Sequence, residues 1–565
     1  MILSAGQKAV SKSSLLVTAL FVAAAAGMLA VLPPDGFFSS DEGVKFIQLR
    51  SLAESGFRDA RIVWPGDELG LERRYAVVER FFELRGGELY SPHPLLFALA
   101  SAPGWLLFGY RGLYLLPLLA GAAAVASTTA LARGFGVRRP WLAGAVVAFA
   151  SPIFFYSLCY WEHAPAVALW LGGFALLRRR STARLLAAGA LWGAGAALRP
   201  EFYGLAAWSV AALLVFHKGE RLRTAAWPAA ACAVTAVGLE FLMQAAWGQP
   251  AFMRFGANLG YGAAWGPAAF LYAVGHSLVP LVPWYLAAGA AAVVAFAVAG
   301  LRWRPGAYVA AAGAVPLVVL YWGFFGGYAT ALAASFPAAF GLVFLARPEG
   351  RRPFRGLGGL EKSFYVASLG FAATLFVVLP DTSGFAWGPR FLLYVLPPAA
   401  LALSRLASSA EEGAWRRVRT GAIIALAAIS AATQVFGLAR LRGEKESRLE
   451  IVRALEALEA APVIVNCWYL PMYAAPLYAG RPFIVPAVEE SVARLAGELR
   501  DAGAGKAFFL AEGRAAEGEE FTVAMTSLLA VDFDVGDVRA VAECGRGDVA
   551  LRYYLWSLRV PPPRE

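Results

Sequence analysis

The sequence predicts a polytopic α-helical membrane protein with a small C-terminal α/β domain outside the lipid. Three observations carry that reading. Of the 565 residues, 59% are apolar, and the mean hydropathy is +0.57. Apolar runs near the roughly 18–20 residues needed to cross a bilayer recur from Leu15 to Gly437. Beyond about Arg440 the pattern changes to the short strands and amphipathic helices of a soluble fold.

The first run, Leu15–Leu32, follows Lys8 and Lys12 and has the outline of a secretion signal. It is long enough to span and many further runs follow, so it is expected to stay as the first membrane helix. The segment from Pro33 to His93 is too charged to lie in lipid. Within it, FFSSDEGVKFIQLRSLAESG (37–56) places Val44, Ile47, Leu49 and Leu52 at roughly helical spacing. Ser39 or Ser40 can cap that helix, which puts Asp41 and Glu42 in its first turn, where the helix dipole favours negative charge. The pair serves equally as capping acids or as carboxylates held beside an apolar wall for proton transfer.

Pro94–Phe108 is apolar but short, and Pro103 and Gly104 interrupt it. Runs near membrane length follow at about 112–132, 140–157, 164–178, 184–198, 203–217, 225–247, 276–300, 307–324, 328–346, 364–380, 391–406 and 418–438. The net charge of +11 is no mark of nucleic acid, because the arginines cluster in short loops between spans. Those basic loops alternate: Arg133/Arg138/Arg139, Arg178–Arg180 with Arg184, Lys218/Arg221/Arg223, Arg302/Arg304, Arg347/Arg351/Arg352/Arg355 and Arg405/Arg416/Arg417/Arg419. The loops between carry only Arg199, Arg254 and Arg390. With the basic loops and the N-terminus in the cytoplasm, the count closes at thirteen spans if Pro94–Phe108 lies along the membrane without crossing. That parity puts Asp41, Glu42, His93, Glu162, His163, Arg199, Glu201, Trp387 and Arg390 on the outer face of the plasma (inner) membrane.

The expected division is a membrane domain over 1–440, with a first outer loop at 33–111, and a soluble domain over 441–565. The latter reads as a helix at 445–460, strands at 463–466, 482–485 and 506–510, a helix at 489–501, and β-rich stretches at 531–535, 538–541 and 549–556. No C-x-x-C pair exists among Cys159, Cys232, Cys467 and Cys544, which argues against a structural zinc site. Cys467 and Cys544 fall in the exported, oxidising space, so a disulfide between them is expected.

The order of these features resembles the C-type superfamily of integral-membrane glycosyltransferases, in particular bacterial relatives of protein O-mannosyltransferases and of the aminoarabinose transferase acting on lipid A. The stretches that carry it are SSDEGVKFIQLRSLAESG (39–56), YSPHPLLFALASAPGWLLFG (90–109), GLYLLPLLAGAAAVASTTALARGFG (112–136), SPIFFYSLCYWEH (151–163), ALRPEF (197–202) and WGPRFLLYVLPPAALAL (387–403). The resemblance implies transfer of a sugar, with inversion, from a polyprenyl-phosphate donor to a hydroxyl of a glycan, lipid or protein at the outer membrane surface. Asp41 is then the general base and Glu42 a supporting acid. His93, before Pro94, stands where relatives often have a Lys or His, and would touch the carrier phosphate. Arg199 and Arg390, rare basic residues on the outer side, would hold phosphate or sugar, with Glu201 beside Arg199; snorkelling at span ends is the alternative. Glu162 and His163, with His93, are the candidates for a divalent metal, although adjacent Glu-His does not share a helix face and no H-x-x-x-H or D-x-D spacing occurs. No other cofactor is implied. A transporter or flippase of lipid-linked sugars is the rival reading, and the lack of an internal repeat or a mid-span acid–base series argues against it.

Overall fold

The computed structural model describes residues 5–76, 81–179, 181–217, 220–250, 332–346, 354–378, 388–409, 413–486, 492–544 and 550–562. The expected spans at 276–300 and 307–324, Arg254, Arg302, Arg304, Arg347, Arg351, Arg352 and Trp387 lie outside the described residues. In chain order the helices are α1 (Ala5–Val31), α2 (Ser40–Glu54), α3 (Leu95–Phe108), α4 (Leu115–Gly134), α5 (Pro140–Phe149), α6 (Ile153–Tyr156), α7 (His163–Leu177), α8 (Thr182–Leu198), α9 (Phe202–Phe216) and α10 (Arg221–Trp247). There follow α11 (Leu332–Ser335), α12 (Gly359–Val378), α13 (Leu396–Ala407), α14 (Ala414–Glu456), α15 (Leu470–Tyr473), α16 (Val492–Asp501) and α17 (Gly518–Leu529). The strands are β1 (Glu83–Arg85), β2 (Glu88–Tyr90), β3 (Val463–Val465), β4 (Phe483–Ile484), β5 (Lys506–Arg514), β6 (Asp534–Cys544) and β7 (Leu551–Arg559).

Contacts divide the chain into two units. One comprises 1–30, 114–239 and 261–439; the other joins 31–113, 240–260 and 440–565. Among the described residues, five helical stretches are long and apolar enough to cross a membrane: Lys12–Val31, Leu95–Gly134, Arg221–Trp247, Arg390–Ala407 and Trp415–Glu456. Shorter apolar helices lie between them. The chain is an α-helical membrane protein.

In the first unit, small residues let helices approach closely, as membrane packing requires. A Cβ on Gly189 of α8 would stand 2.2 Å from the Pro228 carbonyl of α10, and one on Gly193 2.5 Å from the Cys232 carbonyl. Aromatics fill the wider gaps. Trp170 of α7 stacks on Phe364 of α12 at 4.9 Å, and its indole N–H donates to Ser209 Oγ of α9 at 3.2 Å. The expected span at 140–157 is not one helix. Ser151 Oγ donates to the Val147 carbonyl and accepts from the Ile153 N–H, Pro152 lacks a donor, and the helix stops at Phe149. The run at 391–406 likewise opens as a 3-10 turn, Arg390–Val395, before α13. The expected last span and the tail helix, by contrast, are a single 43-residue helix, α14. Gly443 does not end it, because the i,i+4 pairs Arg440–Glu444, Arg442–Glu446 and Glu444–Arg448 bridge that turn.

The second unit is built on a mixed five-stranded sheet of order β4-β3-β5-β7-β6. β3 runs parallel to β4 and β5, while β5, β7 and β6 are antiparallel neighbours. Phe509 and Trp556 face each other across β5 and β7, over a core that includes Val463, Leu510 and Leu558. The separate β-rich stretches expected at 531–535 and 538–541 are one strand, β6, kept continuous by irregularities at Val535/Val538 and Ala540/Ala542. α17 was not anticipated from the sequence.

The first loop is woven into the same unit. Trp64 Nε1 donates to the Phe483 carbonyl at 3.1 Å, and the Val485 N–H to the Tyr75 carbonyl at 3.0 Å. Lys445 Nζ donates to the Gly36 carbonyl at 2.6 Å. From the other side of the sequence, Gln249 Nε2 donates to the Ser91 carbonyl at 3.0 Å. α3 has 14 residues, about 21 Å of rise, which is short of a hydrocarbon core near 30 Å, and Gly109 at φ 58° ends it.

Candidate functional site

The Asp41–Glu42 pair lies in the first turn of α2, as expected, with Ser39 as the cap. The turn separates the two acids. Glu42 is fully buried; its N–H donates to Ser39 Oγ at 3.4 Å and its Oε2 accepts from the Phe38 N–H at 2.6 Å. This resembles the reciprocal closing of a helix start by a cap and the acid three residues on, except that the acid reaches the N–H of Phe38, one residue before the cap. Asp41, one residue earlier, is partly exposed. The rest of α2 is enclosed on more faces than an amphipathic helix needs: Val44, Lys45, Phe46, Ile47, Gln48, Leu49, Ser51 and Leu52 are all buried. Its first turn abuts α15 so closely that a Cβ on Gly43 would lie 1.8 Å from the Met472 carbonyl.

His93 belongs to the same unit. Its carbonyl accepts from Gln48 Nε2 of α2 at 3.2 Å, and its N–H donates to Ser91 Oγ at 3.2 Å. The imidazole stacks on Phe81 at 5.7 Å, and Phe81 in turn packs on Trp468 at 5.2 Å. His93 is therefore an inward residue tied to α2.

The remaining candidates gather in the first unit. Arg199, at the C-cap of α8, is 2% exposed and pairs with Glu162 at 3.3 Å and with Glu201. Burial opposes the charge on Arg199, but the Glu201 and Glu162 carboxylates outweigh it and hold the guanidinium ionised. The guanidinium also lies over the Phe391 ring at 5.5 Å, and that of Arg390 over the same ring at 5.0 Å. Four candidates and Phe391, which the sequence did not single out, thus form one cluster. The Arg390–Phe391 adjacency was the only signal for it. His163 packs its ring among Tyr156 at 5.0 Å and Trp161 at 5.1 Å. Among the described residues, no three His, Cys, Asp or Glu side chains come together as a metal-binding group.

The expected disulfide is not formed: Cys467 and Cys544 are free thiols. Cys467 follows β3 and Cys544 ends β6, three strand positions away, about 14 Å at the usual strand spacing and far beyond the roughly 7 Å a disulfide can bridge. Cys544 Sγ instead donates to Glu444 Oε2 at 2.7 Å.

No protein-family model matches this chain, and no curated protein matches it. Solved structures do. That of ArnT from Cupriavidus metallidurans bound to undecaprenyl phosphate aligns with a TM-score of 0.52 at 14% identity, over 97% of this chain and 99% of that one. The oligosaccharyltransferase AglB from Archaeoglobus fulgidus, in complex with an inhibitory peptide and a dolichol-phosphate, aligns at 0.50 and 13%, over 93% and 73%. Its apo form aligns at 0.51 and 11% over the same shares. The fold is that of the C-type integral-membrane glycosyltransferases. The ArnT alignment takes in the membrane helices and the C-terminal sheet alike, since it leaves out little of either chain.

Proposed function

We propose that this protein transfers a sugar from a polyprenyl-phosphate donor to an acceptor hydroxyl at the outer face of the plasma membrane, with thirteen spans and with 441–565 outside. The observation that carries the reading is the division of labour within the acidic pair. Glu42 is committed to closing the start of α2, while Asp41 is held on that closed turn and partly exposed. A carboxylate fixed by its helix and open to solvent is suited to accept a proton. Asp41 takes the acceptor O–H proton, the oxygen forms a bond to the anomeric carbon, and the carbon–oxygen bond to phosphate breaks with its electron pair on the phosphate oxygen. Attack opposite the leaving group inverts the anomeric centre. Arg390 stabilises the departing phosphate. Arg199, already paired with Glu162 and Glu201, supports it through Phe391. The ArnT and AglB structures, which hold undecaprenyl phosphate and dolichol-phosphate, support a lipid-linked donor here.

The test is the mass of membrane glycans and glycolipids with and without the protein, followed by Asp41→Asn. That variant keeps size and hydrogen bonding but cannot take a proton. Transfer is expected to fall about 10²-fold or more, with protein level unchanged. Transfer at the normal rate would place the base elsewhere. Flux of lipid-linked sugar with no new glycosidic bond would establish a transporter instead.

A further inference from the structure

The loop after β3, Asn466–Tyr469, presents a tryptophan to solvent on a rigid base. Trp468 is 40% exposed. Its ring meets Tyr469 edge-on at 5.1 Å and packs on Phe81 at 5.2 Å, so the exposed part of the indole is held in place by two aromatic neighbours. Polar groups beside it are fixed as firmly. Asn466 is exposed, yet its Oδ1 accepts from the Glu512 N–H at 2.9 Å and its Nδ2 donates to the Glu512 carbonyl at 3.0 Å. The Tyr469 hydroxyl donates to Glu512 Oε1. The result is an exposed ring flanked by a clamped amide and an oriented, partly exposed carboxylate.

This combination suits one chemical class. A pyranose has a face of C–H groups that lies against an indole and an equatorial rim of hydroxyls that needs amide and carboxylate partners. An isolated exposed tryptophan would need no explanation, but here three neighbouring side chains are arrested around it. The placement adds a second observation. Trp468 leads within a turn into α15, whose Met472 carbonyl lies against Gly43, two residues from Asp41. In the other direction, Phe81 connects Trp468 to His93.

We propose that Trp468, with Asn466 and Glu512, is a saccharide-binding platform for the acceptor, so that the acceptor is a glycan-bearing molecule. The proposal rests on the transferase reading for the word acceptor. The platform itself stands on the geometry of the loop. A ring seated on Trp468 would lie on the segment that leads into α15, which buttresses the α2 turn carrying Asp41.

The experiment uses the detergent-solubilised full chain on an array of immobilised oligosaccharides, and undecaprenyl phosphate in micelles as a separate probe. The wild type should bind a subset of pyranose-containing glycans. Trp468→Phe should keep most of that binding, and Trp468→Ala should lose about tenfold or more, as expected for one aromatic face. Both variants should bind undecaprenyl phosphate as the wild type does. The proposal is overturned if the wild type binds no saccharide, if Trp468→Ala binds saccharides normally, or if Trp468→Ala loses undecaprenyl phosphate to the same extent. The array involves no transfer, so its outcome is separate from that of Asp41→Asn, which bears on the base alone.

Discussion

Asp41 and Glu42 are adjacent acids on one turn, and a one-residue step along the helix gives them different environments. The sequence showed a serine cap followed by two carboxylates. Which acid would turn back to the backbone depends on where the helix starts, and a choice between Ser39 and Ser40 shifts that by one position. With Ser39 as cap, Glu42 falls three residues on and takes the closing role. The cysteines were harder to read. Export and parity favoured a disulfide, but the order in which strands of a mixed sheet lie side by side is not written in their spacing. Burial pushes the Cys467 thiol up to about 11, and the Cys544 thiol, buried with Glu444 beside it, up to about 12. A raised thiol pKa leaves the unreactive protonated form at neutral pH, with about a hundredfold less thiolate at Cys467 than an unperturbed cysteine would have. In the folded protein, alkylation of Cys467 should therefore be slow at pH 7 and quicken steadily as the pH rises toward 11. In denatured, unreduced protein both cysteines should take the label, and peptide mapping that finds them joined would contradict the structure.

At the scale of elements, the length of apolar runs located most of the described membrane helices to within a few residues, and helical spacing located α2. Lipid asks for length, and a soluble face asks for a repeat near 3.6 residues. That reading failed where a local device overrode the pattern. Ser151-Pro152 stops a run that hydropathy alone would continue, and the charged i,i+4 ladder of α14 carries a helix through a glycine that looked like a stop. It also understated how enclosed α2 is, since partners from distant sequence cover its polar faces as well. Gly43 tests that enclosure. Gly43→Ala would drive a methyl group into the Met472 backbone carbonyl, so one of the two segments must move, at a cost on the order of 1–3 kcal/mol. Gly27→Ala, in α1, meets nothing within 4 Å and is the matched control. The thermal unfolding midpoint should fall for Gly43→Ala and hold or rise for Gly27→Ala. Equal midpoints would mean that α2 and α15 are not in contact.

At the scale of the whole molecule, the alternating arginine loops are what the proposed orientation rests on, but they are silent on which extramembrane segments share a unit. Hydropathy marks what leaves the lipid; it does not say what the departing pieces pack against. The thirteen-span proposal places the sequence between Arg405 and Arg416 in the cytoplasm and the residues after α14 outside. A periplasm-dependent reporter fused after Glu459 should be active, and the same reporter after Ser409 silent. Equal activity at both sites would mean that α14 does not cross, and the shared outer side assigned to Asp41 and Arg390 would go with it.

The weaving of the first loop into the sheet has a consequence for biosynthesis. Trp64 bonds to Phe483 across 419 residues of chain, Arg50 to Pro476 across 426, and Lys445 to Gly36 across 409. At roughly 5–20 residues per second of synthesis, the loop waits roughly 20–80 s between its own emergence and that of its partners. Throughout that interval Trp64, Phe82 and the underside of α2 lack the cover they have in the finished protein, while one membrane helix after another is inserted behind them. A ribosome stalled before residue 476 would display the loop in a form open to protease, and release of the last strands would close it. The most buried part of the proposed catalytic loop is thus among the last parts of the chain to be completed, although it is among the first to be made.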